Sequence, residues 1–149
     1  MGVKIIVNVL LSIKNKYAQQ ILTGHKKFEF RKNFPEEEVD KIYLYISYPY
    51  QQIIGYITSE YILKSTIPEI RERCYKEWAN FDSEKDGFDD YFRTKYFGVA
   101  IKIDDVVVFN ERINPYEFDG FKPPQSYYLM SDELEEFILR KIECQTTLI

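Results

Sequence analysis

Residues 11–31 read LSIKNKYAQQILTGHKKFEFR, and their hydrophobic period changes from helical to strand-like within the stretch. The apolar residues among 17–22 follow the spacing of one helical face, and Gly24 stands where a left-handed residue ends many helices. Beyond it, Phe28 and Phe30 alternate with charged residues at period two. The stretch therefore predicts a short helix followed by a charged, half-buried strand.

The charged face of that strand carries Lys27, Glu29 and Arg31, opposite the two phenylalanines. Glu29 and Arg31 are neighbours on this face and close enough to interact. Two interpretations stay open: an ordinary solvated ion pair, which contributes little to stability, or a pair that lines a cleft. The charge pattern alone is more typical of the solvated pair.

Residues 24–31 resemble the G-x-K-x-x-E-x-R signature of the ASCH domain family (activating signal cointegrator homology) and match it at every signature position. Residues 11–18 are similar to the strand and helix that precede the signature. Residues 43–49 resemble the second barrel strand of the family, and residues 122–127 resemble its C-terminal loop. The resemblance covers residues 6–130.

This resemblance implies an α+β fold, a PUA-like mixed β-barrel of about five to seven strands. A short helix follows strand one, two helices are inserted in mid-chain, and a C-terminal helix packs on the barrel. A chain of 149 residues fits a single domain, 1–149, with a core at 6–130 and the last helix at 131–143.

Hydrophobic periodicity predicts strands at 5–13, 26–32, 39–48 and 52–63, with Gly55 at a bulge or a sharp bend. A hairpin is expected from 97–103 and 106–109, turning at the two aspartates between them.

Helices are expected at 16–23, at 67–78 with Pro68 in the first turn, and at 132–142 with a cap at Ser131 or Asp132. Gly87 interrupts a further helix, which is expected to begin close to Phe88.

The net charge of −4 and the pI near 5.2 argue against broad electrostatic binding of duplex nucleic acid. The two cysteines and single histidine do not have metal-ligand spacing, so neither a metal nor a cofactor is indicated. Residues 3–11 are too short for a membrane span and read as the first strand of a cytoplasmic protein. A local basic cluster nevertheless lies near the N-terminus: Lys14, Lys16, His25, Lys26, Lys27, Arg31 and Lys32.

The family resemblance implies a cleft around the signature, and its residues suit RNA or a nucleotide. Arg31 and Lys14 offer donors to phosphate or carbonyl oxygens, and Glu29 can accept from an exocyclic amine. On this interpretation, Arg31→Ala abolishes binding and leaves the melting temperature nearly unchanged. The predicted ligand contacts are Lys14, Arg31, Ser47, Tyr48, Gln125, Ser126 and Tyr127.

A second interpretation is an amidohydrolase, because some small bacterial members of the family hydrolyse N4-acetylcytidine. They use the signature lysine, a threonine three residues later and a distal glutamate. Here Lys26 and Glu29 would be the catalytic residues, with Glu29 at the threonine position and Glu77 a candidate for the distal glutamate. A nucleophilic lysine must lose its proton, and a neighbouring carboxylate opposes that loss.

A third interpretation is a non-catalytic interaction domain with a protein partner in regulation, in which the charged strand pairs ions at the surface. Surface exposure is the commoner fate of a lysine such as Lys26. His25 is expected to be a solvated turn residue and Trp78 a core residue. Residues 122–125 fit a rigid connector as well as a cleft lining.

Overall fold

The computed structural model describes residues 2–147, which contain six strands and four α-helices. The helices are α1 (Asn15–Leu22), α2 (Ile67–Glu77), α3 (Phe81–Tyr91) and α4 (Asp132–Thr147). The strands are β1 (Ile6–Ile13), β2 (Phe28–Arg31), β3 (Glu38–Ile46), β4 (Gln52–Thr66), β5 (Phe97–Ile113) and β6 (Tyr127–Leu129). The α+β class, the strand number and the order of the helices agree with the sequence-based expectation.

All six strands belong to one mixed sheet with the order β2-β5-β4-β3-β1-β6. β1 and β3 are parallel, because α1 and β2 form the crossover between them, and the other pairs are antiparallel. The edge strands β2 and β6 are not paired with each other in the described sheet, which is therefore a half-barrel. The two edges still approach one another, since the rings of Phe34 and Tyr127 lie 5.3 Å apart.

Both faces of the sheet are covered. Alternation in β1 turns Val9 and Leu11 to the inner core and Leu10 to the outer face. Helix α4 covers that outer face with Leu134 and Ile138, and the Ser131 hydroxyl accepts a hydrogen bond from the Leu134 N–H at 3.1 Å, as the predicted cap requires.

A third cluster, rich in aromatic side chains, lies between β2 and the two central helices. Phe28 and Phe30 from the strand pack with Trp78, which follows α2, and with Phe81 and Phe88 of α3. This packing explains why the expected start of α3 near Phe88 is wrong. Phe81 is fully buried, so tertiary packing holds the first turns of α3 in spite of Gly87.

The expected hairpin at 97–109 is also wrong, because β5 continues without a turn to Ile113. It pairs with β4 along nearly its whole length, and register shifts near Ser59 absorb the two aspartates. One of these, Asp105, donates its backbone N–H to the Thr58 hydroxyl at 3.1 Å. The strand β6 was not expected and forms by pairing with β1.

Among the described residues, none of the helices has the length and hydropathy that a membrane span requires.

Gly55 and Gly87 should respond in opposite ways to alanine substitution. A Cβ at Gly55 would overlap the Val107 carbonyl oxygen across the β4–β5 pair, whereas a Cβ at Gly87 meets no atom within 4 Å. We expect Gly55→Ala to lower the free energy of unfolding by about 3 kcal/mol, and Gly87→Ala to raise it by about 0.5–1 kcal/mol. Urea denaturation of both variants checks this, and equal effects would contradict the assigned contacts.

Candidate functional site

A cavity of about 680 Å³ opens between α1, β2 and α3. The ends of β1 and β3 and the segment before β6 complete its wall. This cavity, called the cleft below, is lined by Ser12, Ile13, Lys14, Lys16, Tyr17, Gln20, Lys26, Glu29, Phe30, Arg31, Ser47, Trp78, Ser83, Glu84, Gly87, Phe88, Tyr91 and Gln125.

Glu29 is the charged centre of the cleft and is only 5% exposed. One of its oxygens accepts a hydrogen bond from Arg31 Nη2 at 2.9 Å, and the other lies 3.6 Å from Lys26 Nζ. The interpretation of Glu29 and Arg31 as a solvated surface pair is therefore wrong. The alternating pattern correctly placed Glu29 and Arg31 on the same face of β2. That face lines the cleft and is shielded from solvent.

The Arg31 guanidinium connects β2 to two segments with which β2 forms no main-chain strand pairing. Besides Glu29, its Nη2 donates to the Ser12 carbonyl at 2.8 Å, and its Nη1 donates to the Ser126 hydroxyl at 3.3 Å. Ser12 belongs to β1 and Ser126 precedes β6, so one side chain links the β2 edge to the opposite edge of the sheet. Its Nε is buried and has no hydrogen-bond partner within residues 2–147.

Lys26 is directed into the cleft by the turn that ends α1. Gly24 adopts a φ of +76°, as the sequence predicted, and the Lys26 N–H donates to the Gln20 carbonyl at 2.9 Å. The ammonium lies 5.0 Å from the ring centre of Phe30 and 5.8 Å from that of Trp78. Lys26 is only 8% exposed, so the expectation of a surface lysine is wrong.

Aromatic rings form much of the remaining surface of the cleft. Trp78 is 3% exposed, as expected for a core residue, and its indole N–H donates to the His25 carbonyl at 3.0 Å. Tyr91 is more open to the cleft. Burial raises the pKa of the Tyr91 phenol, so its hydroxyl keeps its proton at neutral pH and can donate a hydrogen bond.

The charge of the cleft differs in sign from that of the whole protein. Four cationic side chains and two carboxylates line it, whereas the chain carries a net charge of −4. Lys14 and Lys16 are exposed and have no ion-pair partner in the described part of the chain. An anion at the mouth of the cleft could therefore pair with Lys14 and Lys16 without displacing an existing ion pair.

Helix α3 supplies the wall opposite α1, and the sequence did not reveal it. Glu84, Gly87 and Tyr91 line the cleft, and the His25 Nε2 lies 3.2 Å from the Glu84 carboxylate. His25 is exposed, as a turn residue, and its ring contacts α3 across this gap. The one signal in the sequence was Gly87 in the middle of a helical pattern, and the expectation that it interrupts the helix is wrong.

The structure brings most of the predicted site residues together and separates a few. Lys14, Lys26, Glu29, Arg31, Ser47 and Gln125 line the cleft. Tyr48 is 83% exposed outside the cleft lining, Tyr127 packs against Phe34, and Ser126 contacts Arg31.

Residues 122–125 combine their two predicted roles, since Pro124 is buried and Gln125 lines the cleft. Glu77 lies outside the cleft lining. Its carboxylate accepts a hydrogen bond from the Tyr61 hydroxyl at 2.7 Å and lies 3.8 Å from Lys102 Nζ.

Within residues 2–147, no group of three or more His, Cys, Asp or Glu side chains is arranged to hold a metal ion.

Comparison with known proteins gives a consistent set of relatives. The family model of the ASCH domain matches residues 11–107. The ASCH domain-containing ribonuclease of Zymomonas mobilis subsp. mobilis is 26% identical over 138 residues, which cover 87% of this chain and 88% of that protein.

The fold is shared with crystal structures of ASCH from Zymomonas mobilis. One has a TM-score of 0.76 and 25% identity, and the match covers 89% of this chain and 94% of that chain. A serine-to-alanine mutant of the same protein has a TM-score of 0.76 and 24% identity, over 90% of this chain and 95% of its own.

Arg31 should contribute strongly to stability, in contrast to the sequence-based expectation for Arg31→Ala. Removing it leaves the buried Glu29 with one cationic partner fewer and frees the two edges of the sheet. We expect Arg31→Ala to lower the free energy of unfolding by about 3 kcal/mol, and Arg31→Lys by less. Arg140→Ala is the control, because its pair with Glu136 is exposed and should contribute about 0.5 kcal/mol. Urea denaturation of the three variants measures this, and equal costs for Arg31→Ala and Arg140→Ala would contradict the role of Arg31.

Proposed function

Because the chain belongs to the ASCH domain family, we propose that it acts on RNA and that the cleft binds one nucleotide unit of a single strand. The observation that carries the proposal is the combination of cations and aromatic rings in one cavity of an acidic protein. Phosphate binding requires the cations, and base stacking requires the rings.

The cations divide into an outer and an inner set. Lys14 and Lys16 are exposed at α1, where they can meet the phosphates that flank the bound unit. Lys26 and Arg31 lie farther inside and share the Glu29 carboxylate. In this proposal the outer lysines attract the strand, and Lys26 contacts the phosphate of the bound unit.

Single-stranded RNA fits this cleft better than a duplex does. About 680 Å³ is enough for one base and its sugar, and a base can reach the exposed ring of Tyr91 only when it is unstacked. The acidic net charge also gives little attraction to the dense phosphates of a duplex.

We further propose that the reaction is cleavage of the RNA backbone, on the strength of the ribonuclease named among the relatives. In such a cleavage the ribose 2′-hydroxyl loses its proton to water as its oxygen bonds to the adjacent phosphorus, and the 5′-oxygen takes up a proton as its bond to phosphorus breaks. Negative charge on the phosphoryl oxygens grows in the transition state, and a cation held beside them lowers the barrier. Lys26 is the buried lysine of the cleft and has this role in the proposal.

A second candidate is the amidohydrolase, favoured by the close approach of Lys26 and Glu29 in a cavity of nucleoside size. N4-acetylcytidine is the substrate to test, with release of acetate as the readout. The position of Glu77 counts against it, because the distal glutamate of that reaction would have to come from another residue. The non-catalytic interaction domain is less favoured, because it rests on a solvated Glu29.

Lys26→Met and Lys27→Met give a matched test, since they remove the same charge from adjacent residues. Lys26 faces the cleft, whereas Lys27 is exposed and lies outside its lining. We expect Lys26→Met to weaken binding of a short fluorescein-labelled single-stranded RNA by about tenfold or more and to abolish its cleavage. Lys27→Met should change the affinity by no more than about twofold.

Fluorescence anisotropy measures the affinity, gel electrophoresis measures cleavage, and thermal unfolding verifies that both variants are folded. Equal effects of the two substitutions would refute the assignment of the cleft. Binding without cleavage in the wild-type protein would leave RNA binding as the function, and acetate release that depends on Lys26 would favour the amidohydrolase.

A further inference from the structure

Three residues of α3 present one stripe to the cleft. Glu84, Gly87 and Tyr91 are separated by three and four positions, which places them on one face of the helix, and all three line the cavity. We call these three residues the α3 stripe. A carboxylate lies at one end of it, a phenol at the other and a bare stretch of backbone between them.

Gly87 has no packing reason to be a glycine. It lies inside an eleven-residue helix, where glycine is destabilising relative to alanine. A Cβ built on it meets nothing within 4 Å, so no neighbouring group requires its absence. Residues that break a local rule without a compensating contact are concentrated at functional sites. The missing side chain leaves a flat surface beside the cavity, on which a planar ring can lie.

Glu84 is the cleft carboxylate that retains acceptor capacity. Both oxygens of Glu29 already face cations, Lys26 on one side and Arg31 on the other. Glu84 Oε1 lies 3.2 Å from His25 Nε2, and its second oxygen has no hydrogen-bond partner within the described residues. The contact with His25 fixes the carboxylate, whose side chain is 29% exposed.

We propose that the α3 stripe reads the base of the bound nucleotide and selects guanine, an inference that rests on the proposed binding of RNA. A carboxylate presents two parallel acceptors, and guanine alone among the four RNA bases offers two adjacent N–H donors, N1–H and N2–H, on its Watson–Crick edge. Adenine and cytosine offer an amino group beside a ring nitrogen acceptor. Uracil offers one N–H between two carbonyl oxygens, which repel the carboxylate.

The charge of the two walls gives the nucleotide one orientation. Helix α3 also carries Asp82, Asp86, Asp89 and Asp90, whereas α1 carries no acidic residue and has Lys14 and Lys16 at its start. Phosphates are therefore drawn toward α1 and repelled from α3. The base edge is the part of the nucleotide that can approach Glu84.

The test is a binding series on oligouridines that differ only in their central base, in a 2′-O-methyl form that resists cleavage. Fluorescence anisotropy at fixed salt should show the strand with central guanine binding about tenfold more tightly than those with adenine, cytosine or uracil. Glu84→Gln should remove this preference, because its amide presents one acceptor and one donor group in place of two acceptors.

Asp86→Asn is the matched control, since it removes the same charge from α3 at an exposed residue outside the cleft lining, and it should keep the preference for guanine. Gly87→Leu should weaken binding of the guanine strand by about tenfold while leaving the protein at least as stable to urea, which separates a blocked surface from misfolding.

The outcomes separate the two proposals. Binding of every strand with equal affinity, unaltered in Glu84→Gln, would overturn the base-reading role and leave RNA binding intact. A preference for adenine, cytosine or uracil would overturn the assignment of guanine. Absence of binding to every strand would overturn the proposed function itself, and the inference with it.

Discussion

The Arg31 guanidinium connects the two edges of a sheet that main-chain hydrogen bonds leave open. β2 and β6 end the strand order, and Arg31 spans the gap between them through Ser12 and Ser126. A guanidinium suits this task because its donors point in several fixed directions at once, which an ammonium cannot do in the same geometry. It is also a charge taken out of water, and such a group is tolerated only when it is paired.

That requirement accounts for the rest of the signature. Glu29 neutralises Arg31 from the same strand, two residues away, and its second oxygen holds the Lys26 ammonium. The three signature charges are thus one coupled unit, in which the arginine closes the fold and the glutamate compensates it. The Lys26 ammonium faces the cavity and pairs with Glu29, and of the three charged groups it contributes least to holding the fold together. A substitution at either of the other two changes the architecture before it changes any chemistry, so Lys26 is the informative position for function.

The sequence predicted what is local and missed what depends on distant segments. The left-handed turn at Gly24 after α1 and the two faces of β2 follow from spacing within a few residues, and both could be predicted from the sequence. The burial of Glu29 was not, because period two assigns a side chain to a face and does not say what covers it. The partners of Arg31 lie 19 and 95 residues away in sequence. The predicted start of α3 near Phe88 is wrong for the same reason, because packing against distant residues holds Phe81 in the first turn of the helix.

The balance of charge in the cleft bears on how selective any RNA contact must be. Binding of nucleic acid without sequence preference draws mainly on phosphate contacts, and an acidic protein with two uncommitted lysines at its cleft has few of these to offer. Stacking and hydrogen bonds to the base, with stacking alone contributing about 1–3 kcal/mol per base, then make up a large share of the total. A change of base alters this base-dependent part of the binding free energy directly. In a strongly basic protein, where phosphate contacts dominate, the same change would alter the total binding free energy only slightly. The same composition that weakens general affinity therefore increases the fraction of binding energy that depends on which base enters the cleft.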